Sequence, residues 1–128
     1  MADSRRGVGS SDCVGRGTGL DNAGLARKRN VLASALALHR DVTEPIDVLA
    51  TFGGFEITMM VGAYLAAAEA KMTILVDGFI ATAALVVADA IAPAVRDYCV
   101  FAHLSNEAGH RRMLDYFEVV ESVSADNG

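Results

Sequence analysis

Three glycines at alternate positions, Gly15, Gly17 and Gly19, enclose Arg16 and Thr18, and Lys28 follows eight residues after Leu20. Without Cβ atoms, such a stretch lets successive backbone N–H groups turn toward one point. A helix is predicted to start directly afterwards, and its N-terminus adds partial positive charge at the same place. The ligand chemistry that suits this arrangement is a phosphate, with Lys28 supplying a full charge. Taken alone, a G-x-G-x-G run is a weak signal, because glycine-rich turns at helix starts are commoner than phosphate sites.

Four further candidates stand out. Asp77-Gly78 and His103-Leu104-Ser105 each follow a short apolar run that reads as a strand. At such positions an Asp can accept from a sugar hydroxyl, and a Ser can hold a phosphate oxygen. Both residues also suit simple helix capping. His103, Glu107 and His110 have spacings seen in metal sites, but only Glu107 and His110 fall within the predicted helix, and a structural or solvated histidine is the plainer reading. Glu56 lies beside Gly53-Gly54 in an otherwise apolar helix, where a buried carboxylate needs a partner or a raised pKa. The pair Met59-Met60 reads as packing.

The elements that must carry these residues alternate along the chain. Asp21 is placed to cap a helix reaching about Arg40, with Leu25, Leu32, Leu36 and His39 on one side. Thr43-Glu44-Pro45 opens a short second helix, ended by Gly53-Gly54. Phe55 to Lys71 is apolar nearly all round and is expected to be central. Thr73–Val76 and Tyr98–Ala102 are continuous apolar runs expected as strands buried on both faces. Between them lies a helix from Phe79 to Ala90, closed by Pro93, and Ser105 precedes a last helix from Asn106 to Phe117. This rhythm predicts an α/β fold with a parallel, Rossmann-like three-layer architecture. Two strands make only a partial sheet with helices packed around it, so the chain reads as a piece of a larger one.

Composition narrows the classes of function. The 128 residues suit one domain, and 52% are hydrophobic with a mean hydropathy of +0.33. That apolar excess implies a dominant core or apolar surface that meets other material. A net charge of −5 argues against nucleic acid or an anionic membrane as partner. The apolar runs Ile57 to Ala68 and Phe79 to Ala88 are too short to span a bilayer. Cys13 and Cys99 lack zinc or redox spacing, which suits a reducing, cytoplasmic setting. No secretory leader is expected in Met1 to Ser11. Residues 1–12 are expected to be disordered, 13–117 to form the α/β domain, and 118–128 to be a divergent tail.

Five segments, in order, carry a family resemblance: V-G-R-G-T-G-L-D-x-A-G-L-A-R-K (14–28), T-F-G-G-F-E-I (51–57), V-D-G-F-I-x-T-A-A (76–84), A-P-A-V-R-D-Y (92–98) and A-H-x-S-x-E-x-G-H (102–110). Together they resemble nicotinate-nucleotide–dimethylbenzimidazole phosphoribosyltransferase, over its middle-to-late portion. The resemblance implies transfer of phosphoribose from nicotinate mononucleotide to 5,6-dimethylbenzimidazole, giving α-ribazole 5′-phosphate and nicotinate in cobalamin assembly. It implies a homodimer, no metal and no cofactor. Gly15, Gly17, Thr18, Gly19 and Lys28 would then lie near the ribose phosphate, with Asp77 and Ser105 beside the nucleotide and Glu56 and His103 as further candidates. The family's general-base Glu, in a Gly-Glu-Gly motif, has no counterpart after Phe117. The chain is therefore expected to be truncated and inactive alone. A non-catalytic nucleotide-binding module and one chain of a split enzyme remain as alternatives.

Overall fold

A computed structural model describes Val14, Gly19, residues 21–102 and residues 108–117. The chain divides into two compact units, Met1–Asp41 and Val42–Gly128.

In the first unit, helix α1 spans Asn22–Leu38. Asp21 caps it as expected, its Oδ1 accepting from the Gly24 N–H at 2.7 Å. One of the orphan donors of the first turn is thereby satisfied. The expected apolar side is not buried: Leu32 is 39% exposed and Leu36 47%, and His39 is also exposed. Within the helix only Gly24 is fully covered.

The second unit holds α2 (Pro45–Phe52), α3 (Phe55–Glu69), β1 (Ile74–Val76), α4 (Gly78–Ile91), β2 (Cys99–Phe101) and α5 (Ala108–Tyr116). A 3₁₀ turn over Pro93–Tyr98 leads into β2. The strands pair in parallel, Ile74 with Cys99, Leu75 with Val100 and Val76 with Phe101. Parallel pairing requires a crossover, and α4 with the 3₁₀ turn supplies it. Helix α4 therefore begins at the carboxyl end of β1.

Helix α3 stops at Glu69, two residues before the expected end, because Lys71 adopts a left-handed φ of 55°. The Met72 N–H reaches Ala67 O at 2.9 Å and the Lys71 N–H reaches Ala68 O at 2.9 Å, which makes a Schellman cap. The sheet departs from expectation as well. Ile74 and Val76 are buried, but Leu75 is 70% and Val100 51% exposed, so one face is open. Helix α3 likewise buries only Val61 and leaves Phe55 and Met59 exposed. The core lies instead around α4, whose Ala84, Leu85 and Ala88 are wholly buried and meet Val61, Val76, Val95 and Phe117.

Candidate functional site

In parallel α/β sheets the carboxyl ends of the strands are where loops and helix N-termini converge on ligands. Asp77 and Gly78 occupy that end of β1. Asp77 is exposed and stands at the N-cap of α4, but its side chain makes no capping bond there. Capping alone therefore does not account for it. Gly78 takes φ +85°, a left-handed conformation that a side chain would strain.

Two polar ties hold α4 to α5 behind this turn. Thr82 and His110 are both wholly buried, and the Thr82 Oγ1 lies 3.0 Å from His110 Nε2. The same hydroxyl donates to Gly78 O at 2.8 Å. Two turns further along α4, Asp89 is 2% exposed and accepts from Arg96 Nε at 3.0 Å, Arg96 Nη2 at 2.7 Å and the Tyr116 hydroxyl at 2.8 Å. Burial alone would push the Asp89 carboxyl up. The bonds from Arg96 and Tyr116, with the guanidinium charge, outweigh it and hold the carboxyl below its ordinary range. Donation to Asp89, then burial, push the Tyr116 hydroxyl up.

The Arg96 guanidinium also lies 5.6 Å from the Tyr116 ring centroid and 5.3 Å from that of Phe117, and Phe117 packs on Phe101 of β2 at 5.5 Å. Because residues 82 and 89 meet 110 and 116 in that order, α4 and α5 run the same way. The tie at residue 82 is the one next to the Asp77–Gly78 turn.

Other expected site residues fare differently. Gly19 is exposed with φ +85°, and Lys28 is exposed on α1. Both belong to the first unit. Gly15, Gly17, Thr18, His103, Ser105 and Glu107 lie outside the described residues, as does Cys13. Glu56 is a correction: it is exposed in the first turn of α3, on a helix whose apolar character does not bury it. His110 is buried beside Thr82, and among the described residues no three His, Cys, Asp or Glu side chains gather to hold a metal. No helix among them is long and apolar enough to cross a membrane.

Sequence reasoning missed Thr82, Asp89, Arg96 and Tyr116. The available signal was the pair of polar residues at positions 82 and 89 of an apolar helix, seven apart and so on one side. A shallow depression of about 240 Å³ is lined by Glu44, Pro45, Ile46, Ala90 and Ile91. It lies at the far end of α4 from Asp77 and carries one carboxylate and no cation, so it does not suit a phosphate.

Comparison with known proteins identifies the family. A family model described as phosphoribosyltransferase matches residues 4–126. The chain is 63% identical over 120 residues to the nicotinate-nucleotide–dimethylbenzimidazole phosphoribosyltransferase of Cupriavidus necator, covering 94% of this chain and 35% of that protein. It is 54% identical over 120 residues to the enzyme of the same name from Aromatoleum aromaticum, again over 35% of its length. Among solved structures, CobT from Thermus thermophilus superposes with a TM-score of 0.81 at 40% identity, over 88% of this chain and 34% of that one. The chain thus spans about a third of the length of these relatives. With the parallel crossover and the matched sequence together, it belongs to the phosphoribosyltransferase family that includes the nicotinate-nucleotide–dimethylbenzimidazole enzymes.

Proposed function

We propose that this chain contributes the ribose-phosphate-binding portion of a site that transfers phosphoribose from nicotinate mononucleotide to 5,6-dimethylbenzimidazole. The observation that carries this reading is Asp77, an exposed carboxylate at the carboxyl end of β1 whose side chain leaves the helix N-terminus uncapped, in a chain 63% identical to a named enzyme of that reaction. Its carboxylate accepts from a ribose hydroxyl, while the N–H groups at the start of α4 remain available to an anion.

In the reaction the bond from ribose C1′ to nicotinate breaks, with its electron pair leaving on nicotinate. A bond from a benzimidazole nitrogen to C1′ forms, and the proton on the benzimidazole goes to a base. Positive charge grows on the ribose in between, so the protein's task is to hold phosphate and ribose in line with the acceptor. Gly15, Gly17, Thr18, Gly19, Lys28 and Ser105 are proposed as phosphate and ribose contacts, and His103 as a further one. No general base is assigned within this chain.

A second reading is that transfer occurs only when further polypeptide packs here. The open apolar faces favour it: Leu75 is 70%, Phe55 90% and Met59 75% exposed. Calorimetric titration of the full chain with nicotinate mononucleotide tests the first reading. Saturable binding is expected, weakened in Lys28→Ala by about 1–3 kcal/mol, the size of a lost charge-assisted hydrogen bond. A folded chain that gives no saturable heat overturns it.

A further inference from the structure

Thr82 and His110 are buried polar groups that the proposed reaction does not use. A hydroxyl has a single hydrogen, and that of Thr82 is directed at Gly78 O, 2.8 Å away. The remaining contact, 3.0 Å to His110 Nε2, must then run the other way, with the imidazole N–H donating to Thr82 Oγ1. The result is a chain of two bonds, His110 Nε2–H to Thr82 Oγ1–H to Gly78 O. It starts in the first turn of α5 and ends at the left-handed glycine beside Asp77.

Both residues are wholly buried, so water offers neither group a substitute partner. Gly78 itself has nothing near its Cβ position, so no packed side chain fixes the turn from that side. We propose that His110 and Thr82 are positioning residues, which set the Asp77–Gly78 turn at the end of β1 from α5. Their effect on ligand binding rests on the reading that this turn meets the nucleotide; the mechanical coupling does not.

The test uses four single variants of the full chain. Thr82→Val and His110→Leu remove the bond, whereas Thr82→Ser and His110→Gln keep a hydroxyl and an N–H donor in place. Two quantities are read: amide protection at residues 82 and 83, whose N–H groups close the first turn of α4 onto Gly78 and Phe79, referenced to the middle of α3, and affinity for nicotinate mononucleotide.

Thr82→Val and His110→Leu are expected to speed exchange at these amides by about tenfold over the α3 reference and to weaken binding by about tenfold, as for one buried hydrogen bond. The conservative variants stay within about threefold of the parent in both. Should His110→Leu fail to fold, Thr82→Val removes the same bond while keeping the side-chain shape. A folded Thr82→Val with parental amide protection at residues 82 and 83 overturns the coupling. Faster exchange with unchanged affinity overturns the positioning role. If the parent chain does not bind the mononucleotide, the functional reading and the role in binding fail together, and the exchange comparison still decides the coupling.

Discussion

Helices α3 and α4 are near twins in composition and opposites in environment. Both are built mainly from Ala, Val, Ile, Leu and Phe, with Met in α3, and each carries only a few polar residues. Helix α4 buries Thr82, Ala84, Leu85, Ala88 and Asp89, whereas α3 buries Val61 alone and presents Phe55 and Met59 to solvent. Apolar composition therefore marks a helix for burial without saying how many of its sides this chain covers. The two helices also teach how to read a polar residue in an apolar setting. Glu56, Thr82 and Asp89 carry the same signal in the sequence. Two of them form the buried ties to α5, and Glu56 faces water.

The contrast can be broken by mutation, and the largest effect belongs to the α4 core. Leu85→Ala is expected to cost about 2–5 kcal/mol in denaturant unfolding, because Leu85 is wholly enclosed. Met59→Ala on the open face of α3 should stay within about 0.5 kcal/mol. Equal losses at the two sites would end the comparison.

Next comes the Asp89 tie. Asp89→Asn should cost about 1–3 kcal/mol near neutral pH, less than a fully enclosed ion pair, because the Arg96 side chain is 43% exposed. The pH dependence follows from the lowered Asp89 carboxyl. A carboxyl that titrates lower when folded than unfolded contributes stability above the ordinary carboxylate range, about pH 4, and loses it as pH falls through the folded value. Acid unfolding of Asp89→Asn should lack that part of the slope. An acid limb identical to the parent's would remove Asp89 from the account.

Smaller effects sharpen the picture of α3. Lys71→Gly should stabilise by about 0.5–1 kcal/mol, since the Schellman cap holds Lys71 at φ 55°. Gly62→Ala should stabilise by up to about 1 kcal/mol through helix propensity, with nothing near the added methyl. Loss of stability at Gly62 would instead reveal a covered face.

Much of the fold was legible because local chemistry dictated it. The Asp21 cap, Pro45 at the start of α2 and the Gly53-Gly54 break set element ends within a residue or two of expectation. The Gly53 break has a steric basis: a Cβ there would sit 2.5 Å from Leu49 O. What could not be read were contacts between distant segments. Nothing near Asp89 in the sequence announces Tyr116, and nothing near His110 announces Thr82. The left-handed Lys71 was hidden too, because Lys carries no turn signal of its own. Of the proposed site, Asp77 and the glycine turn were candidates from residue type and order. The ties that hold the Asp77 turn were not.

The central claim is that Asp77, at the carboxyl end of β1, meets the sugar of a bound nucleotide. Calorimetry on the full chain and on Asp77→Ala, with nicotinate mononucleotide and separately with inorganic phosphate, tests it most directly. The account predicts about a tenfold loss of mononucleotide affinity in Asp77→Ala, the size of one hydrogen bond to a charged group, with phosphate binding nearly unchanged. Equal losses for both ligands, or none for either, would contradict it.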